Sequence, residues 1–234
     1  MNFVFILTAS ALRRDACCLT VRLDFCPHSA PMFAPDANNE RLVLFENNWL
    51  EKLTVVSAFW FVVTWSVLLP VVAIAGWGQA TPLAGFGLVV AGVIVWTLFE
   101  YVVHRYLFHW DAQWLWAKRF VFLLHGNHHA RADDRLRNLM PPILSIPISL
   151  CIWAMFVAAI GPAGTWLFLG FLLGYVAYDL VHYACHQWPM RGALGEALKR
   201  HHMRHHHVDD EMNYAITGIF WDRLFSSRIT SLRR

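Results

Sequence analysis

Charge is scarce in this chain. Asp, Glu, Lys and Arg together make up 15% of its 234 residues, against about a quarter in a soluble globular protein. With 57% hydrophobic residues and a mean hydropathy of +0.41, that shortage excludes an ordinary soluble domain and places the chain among membrane proteins. Cysteine is also sparse. There are five, an odd number, and Cys17, Cys18 and Cys26 have no metal-type spacing with a partner pair, which argues against a disulfide framework. The chain has no Gly-rich phosphate loop, no Gly-x-Ser-x-Gly elbow and no cysteine nucleophile context, so phosphoryl-transfer and serine- or cysteine-hydrolase chemistry have no catalytic set here. It also lacks an internal repeat and a long linker, which leaves a single domain.

Long apolar runs fill the space that charge leaves. Four segments, near 53–74, 83–103, 143–160 and 165–182, have the composition to cross a bilayer, which takes about 20 apolar residues as a helix. The last is apolar only from Trp166 to Tyr178 and needs tilt, a kink or extension by Asp179 to His186 to span. The connections Gly76 to Pro82 and Gly161 to Thr165 contain no Lys or Arg, whereas all 19 basic residues fall within 1–52, 105–137 and 191–234. The positive-inside rule then puts both termini and the central loop in the cytoplasm. The expected fold is all-α: an integral-membrane four-helix bundle of two transmembrane hairpins under a cytosolic histidine-rich cap built from 104–138 and 183–234. The net charge of +3 reads as this topology signal and calls for no nucleic-acid partner. Residues 1–48 form a cytosolic N-terminal segment, of which 1–31 are expected to be dispensable, and 49–234 form the membrane domain.

Twelve of thirteen histidines lie beyond residue 100, grouped where apolar stretches end. The groups read H-x4-H (His104, His109), H-x2-H-H (His125, His128, His129), H-x3-H (His182, His186) and H-x2-H-H (His202, His205, His206), with His201 and His207 flanking the last. Helical residues i and i+4 are about 40° apart, so His182 and His186 reach one ion, and each H-x2-H-H box offers a three-imidazole face to one metal or toward a second. His104 and His109 diverge by about 140° on a regular helix. Their joint use predicts a local irregularity at Arg105 to Phe108. Glu100 and Asp179 stand i−4 and i−3 to His104 and His182, where a carboxylate can accept from the far ring nitrogen of a ligand and orient it; binding to helix ends is the equal alternative. Imidazole suits iron, zinc, copper or nickel, and spacing alone does not choose among them. A b-type cytochrome has histidine pairs inside the bilayer, and a metal transporter has ligands near the midplane along a polar path. Boxes crowded at one surface, with closely spaced triples, fit neither.

These segments resemble the fatty acid hydroxylase superfamily of integral-membrane di-iron enzymes, which also holds sterol desaturases and carotenoid hydroxylases. The resemblance runs from about 96 to 225 through E-Y-V-V-H-R-Y-L-F-H (100–109), F-L-L-H-G-N-H-H (122–129), R-L-R-N-L-M-P-P (135–142), G-Y-V-A-Y-D-L-V-H-Y-A-C-H (174–186), L-K-R-H-H-M-R-H-H (198–206) and F-W-D-R-L-F (220–225). It is nearest to the fatty acid 2-hydroxylases of sphingolipid acyl chains. The resemblance implies as metal ligands His104, His109, His125, His128, His129, His182, His186, His202, His205 and His206. It also implies two iron ions, which zinc is able to replace in a purified form, O2, a lipid acyl substrate such as a ceramide, and hydroxylation next to the acyl carbonyl. A carotenoid or sterol hydroxylase or desaturase of the same superfamily is the alternative.

Three departures accompany the likeness. Only about 50 residues precede the first span, without the heme-binding pattern of the cytochrome b5 domain that eukaryotic relatives carry, so a separate cytochrome b5 or ferredoxin-type donor with its reductase is expected. The second box is followed by A-R-A-D-D-R-L-R rather than a proline-containing stretch, and Asn213 to Gly218 lacks the usual Gly-Phe-Gly.

Overall fold

The computed structural model describes residues 42–231, in which every regular element is helical. The expectations for residues 1–31, for their cysteines and for the two termini lie outside the described residues. Helix α1 is Asn48–Leu53 and α2 is Ala58–Ala75; α3, Pro82–Val103, runs directly into a π-helical turn, His104–Phe108. Then come α4 (Leu115–Val121), a second π-helical turn (Phe122–Gly126), α5 (Asn127–Ala130), α6 (Pro142–Ile160), α7 (Gly164–Gln187), α8 (Ala193–His207) and α9 (Trp221–Leu224). The chain divides at Glu51 into a short N-terminal unit and a unit holding the rest. In the first, the Glu51 carboxylate accepts from the backbone N–H groups of Leu44 (3.0 Å) and Phe45 (3.1 Å).

Helices α2, α3, α6 and α7 are each long and apolar enough to cross a membrane, giving an all-α membrane bundle. The first begins at Ala58 rather than near residue 53. Val56 donates its N–H to Leu136 O (3.1 Å) and the Ser57 hydroxyl accepts from Trp60 N (3.4 Å), so the backbone leaves the helical path and is capped at Ser57. Thr81 caps α3 in the same way through Ala84 N (3.4 Å), with Pro82 at the first helical position. At the other extreme, α7 runs five residues past the expected 182. Its 24 residues extend about 36 Å, longer than a hydrocarbon core of about 30 Å, so its last turns project beyond the apolar layer with His182 and His186 on them.

Burial distinguishes the four spans. In α7, 61% of the apolar window is buried, against 17%, 17% and 6% in α2, α3 and α6, so α7 is the axis and the others turn their apolar side chains outward to lipid. The α3–α7 contact depends on two glycines. A Cβ on Gly92 would overlap the carbonyl of Leu167, and one on Gly170 would overlap that of Val89, so the helices meet backbone to backbone as small residues allow in membranes. Trp96 fills the space beyond, packing edge-on to Phe171 (4.9 Å), Tyr175 (5.4 Å) and Tyr178 (5.5 Å). Gly76 lies against Thr165 and Trp166, which puts the tips of both hairpins at one end of the bundle. The histidine-bearing ends of α3 and α7 are therefore together at the other.

Candidate metal centre

The irregularity expected between His104 and His109 is a full π-helical turn. His109 N–H donates to His104 O (3.3 Å), the i to i+5 bond that widens the helix, and the two rings come to one side with their Nε2 atoms 3.3 Å apart. A second π-helical turn precedes the next box, and nothing in its spacing announces it. There the Asn127 side chain donates to Phe122 O (2.9 Å) and Leu123 O (2.8 Å), satisfying carbonyls that the wider turn exposes. Helix α7 supplies His182 and His186, and α8 supplies His202, His205 and His206.

These ten histidines form two groups of five, each able to hold a metal ion. His104, His109, His125, His129 and His205 make one; His128, His182, His186, His202 and His206 make the other, with ligand atoms in each within 4.8 Å of one another. The two triple boxes divide alike. In each, the first and last rings, i and i+4, serve one group, and the middle ring, i+3, serves the other. His201 and His207 join neither group.

The ring tautomers suit metal binding. In His104, His182 and His205, Nδ1 faces a backbone carbonyl: Tyr214 O, Asn138 O (3.0 Å) and Met212 O (2.7 Å) respectively. A carbonyl only accepts, so each Nδ1 carries the proton and each Nε2 presents its lone pair inward. These Nε2 atoms meet others at 3.0 Å (His104–His125), 3.2 Å (His205–His129) and 2.9 Å (His182–His128). Elsewhere in the second group His186–His202 is 2.8 Å and His206–His202 is 3.1 Å. Facing lone pairs at that separation repel without a cation between them. With metal–nitrogen bonds of about 2.1 Å, a right angle at the metal separates two nitrogens by about 3.0 Å and a tetrahedral angle by about 3.4 Å. The short edges of 2.8–3.3 Å are those of nitrogens that share an ion, and each group offers five imidazoles to it.

Extra protons are disfavoured as the alternative filling. Burial, followed by the neighbouring rings, drives the affinities of His125, His128 and His202 well below the usual histidine value, lowers those of His129 and His206 strongly, and takes His109 to about 4. Neutral imidazole is the form that binds a metal.

Glu100 and Asp179 differ from expectation, since neither reaches a ring nitrogen. Glu100 accepts from the backbone N–H groups of Ile216 (3.2 Å), Thr217 (2.7 Å) and Gly218 (2.9 Å), from the Thr217 hydroxyl, and from Trp96 Nε1 (3.1 Å). Asp179 accepts from Met140 N (3.1 Å). For Glu100 the physical reason is donor number: a buried carboxylate needs more than the one N–H an imidazole offers, and the backbone N–H groups of the 216–218 loop supply it; Asp179 instead takes the N–H of Met140. Both carboxylates therefore act one step back from the rings. Glu100 clamps the loop just after Tyr214, whose carbonyl holds His104, and Asp179 anchors Met140, two residues after Asn138, whose carbonyl holds His182.

The sequence reading passed over Asn138 and Asp222. Asn138 lies in R-N-L-M-P-P; its side-chain nitrogen donates to Ala132 O (2.9 Å) and stands 3.1 Å from His128 Nδ1, and its Oδ1 accepts from Gln187 Nε2 (2.7 Å), so it packs that ring in place. Asp222, fully buried in F-W-D-R, accepts from Tyr214 N, Ala215 N, the Ser227 hydroxyl and His201 Nε2 (2.9 Å), which explains why His201 stands outside the metal groups. Asn138→Ala is expected to weaken metal binding at the His128 group by about 10- to 100-fold and to spare the His104 group. A chelator-competition titration checks it, and equal loss at both groups contradicts it.

A family model described as fatty acid hydroxylase matches residues 89–227. The Arabidopsis thaliana protein named dihydroceramide fatty acyl 2-hydroxylase FAH2 is 36% identical over 190 residues, covering 78% of this chain and 78% of its own. The Saccharomyces cerevisiae protein named ceramide very long chain fatty acid hydroxylase SCS7 is 36% identical over 192 residues, covering 77% of this chain and 48% of its own. Human fatty acid 2-hydroxylase is 38% identical over 148 residues, 59% of this chain and 38% of its own; the chain thus spans less than half of these fungal and mammalian relatives. A solved structure described as full-length scs7p, with only the hydroxylase domain visible, matches with a TM-score of 0.73 and 31% identity over 81% of this chain and 73% of that one. With the family model covering more than half its residues and two five-histidine groups at one end of a membrane bundle, the chain belongs to the fatty acid hydroxylase family.

Proposed function

We propose that this protein is an oxygen-dependent 2-hydroxylase of the fatty acyl chain of a ceramide or related sphingolipid. The observation that carries the reading is the pair of five-imidazole groups with inward lone pairs, at the end of a bundle whose walls are apolar. The names of the relatives supply the substrate class. Iron in both groups supplies, when bound, the redox chemistry that lets O2 react with an unactivated C–H bond; zinc fits the same nitrogens without that capacity. One oxygen atom enters the C–H bond next to the acyl carbonyl and the other leaves as water, with two electrons delivered one at a time by a separate donor of the cytochrome b5 or ferredoxin type and two protons taken from solvent.

The chain's own residues hold the imidazoles rigid and neutral. The carbonyls of Tyr214, Asn138 and Met212 keep three rings in the ligating tautomer, and Glu100 and Asp179 fix the loops that bear two of those carbonyls. The lack of Lys and Arg in both hairpin tips supports a cytoplasmic site, where a soluble donor can reach it.

Reconstitution tests the reading. Iron-loaded protein with a ceramide and O2 alone is expected to turn over poorly, and addition of reduced donor with its reductase to yield the 2-hydroxyacyl product by mass spectrometry. Product formed without O2, or at full rate with zinc as the only metal, rules the mechanism out.

A further inference from the structure

Helix α8 carries two stripes. His202, His205 and His206 point to the metal groups, while Ala197, Arg200, His201 and Arg204, spaced i, i+3, i+4 and i+7, centre about 140° around the helix from them. That second stripe forms one wall of a cavity of ≈ 180 Å³, closed on the other side by Arg223, Arg228 and their neighbours Ile219 and Ile229. Four guanidinium groups thus line one small hollow. Among the described residues none of the four has a carboxylate within ion-pair distance. The nearest buried acid, Asp222, spends its oxygens on Tyr214 N, Ala215 N, the Ser227 hydroxyl and His201. Like charges gathered without a partner repel one another, and planar guanidinium forks match the oxygens of a phosphate two at a time.

The setting narrows where that anion comes from. Helix α9, which bears Arg223, is fastened to the spanning helix α3 by Trp221 Nε1 donating to Thr97 Oγ1 (3.2 Å) and by Phe225 stacked on Tyr101 (5.1 Å). Phe220, Leu224 and Phe225 stay 52%, 64% and 45% exposed beside it. Exposed apolar rings next to arginines, attached to the end of a spanning helix, mark the depth at which headgroup phosphates lie. A soluble acidic protein accounts for the arginines, three of which are exposed, but not for the exposed apolar side chains beside them.

We propose that Arg200, Arg204, Arg223 and Arg228 form a phosphate-binding pocket, separate from the metal groups, that takes the phosphate of a lipid headgroup or the free anion. The pocket is joined to the metal centre by a short path. His201 donates to Asp222, Asp222 accepts from Tyr214 N, and Tyr214 O accepts from His104.

The test uses the full chain in detergent and measures affinity by calorimetry and the thermal midpoint with inorganic phosphate, with dihexanoyl phosphatidic acid, and with dihexanoylglycerol as the phosphate-free control. Wild type is expected to bind phosphatidic acid and to ignore dihexanoylglycerol. Arg204→Gln/Arg223→Gln should bind at least about 10-fold more weakly, given the strength of hydrogen bonds to charged groups, and Arg191→Gln should match wild type. Arg228→Gln serves as a single-site replicate should the double variant fail to fold. Binding of inorganic phosphate at equal strength identifies the free anion as sufficient, and binding of phosphatidic acid alone identifies the lipid; both support the pocket. Equal binding by wild type and both pocket variants overturns it. So does absence of binding by either probe, and in that case an arginine-dependent interaction with an acidic electron-carrier protein reassigns the surface to a protein partner.

Discussion

His128→Ala and His129→Ala, adjacent in sequence, are expected each to abolish hydroxylation while disturbing different metal sites. His128 belongs with His182, His186, His202 and His206, and His129 with His104, His109, His125 and His205. Removing one imidazole from a group of five would leave its ion without a full shell of lone pairs, and the metal content is expected to be about one ion per chain in either variant against two in the wild type. The double variant should hold almost none. His201→Ala and His207→Ala keep all ten ligands and should keep both ions. His201 is nonetheless bonded to Asp222, and its loss should reduce stability more than that of the exposed His207. Elemental analysis with single-turnover activity reads all five proteins. Loss of both ions in each single variant, or retention of both, contradicts the division into two groups.

Chelation should make the fold acid-labile in a defined window. Burial holds the affinities of His109, His125, His128, His129, His202 and His206 below the ordinary value of 6.5, with His109 at about 4. Between about pH 6.5 and 4 the unfolded chain therefore binds protons that the folded chain refuses, and stability falls as pH falls. Above 6.5 both states carry neutral rings and this contribution vanishes. Metal-loaded protein should resist the same acid step until protons displace the ions, because the metal binds only the folded, deprotonated arrangement. The thermal midpoint of chelated and loaded protein, followed from pH 8 to pH 4.5, reads the difference. A chelated protein whose midpoint is flat across that range, or rises toward acid, contradicts the burial of the rings.

Much of the fold was legible without coordinates. Three of the four spans begin, and three end, within a residue of their expected limits, because a bilayer demands long apolar runs and Pro82, Pro142, Gly76 and Gly161 mark their ends. The first span was placed too early. Leu53 to Ser57 is as apolar as a span, and the tertiary bond from Val56 N to Leu136 O, with the cap at Ser57, takes it out of the helix. The π-helical turn at His104 followed from the i, i+5 spacing, since two rings so placed converge only if the helix widens. The one at Phe122 has no such signature.

Residue type and helical period by themselves determined the membrane class and the crowding of histidines at one end, which depend on spacing along one chain, while the set of ten rings came from the family resemblance. Only the tertiary structure decided which ring goes to which group, that backbone carbonyls rather than Glu100 and Asp179 hold the Nδ1 protons, and that Arg200 and Arg204 meet Arg223 and Arg228 in one cavity. Apart from the Met212 carbonyl, seven residues from His205, those outcomes depend on partners far away in the chain, brought together by helix packing, and no local pattern encodes which distant carbonyl or guanidinium a folded loop will deliver.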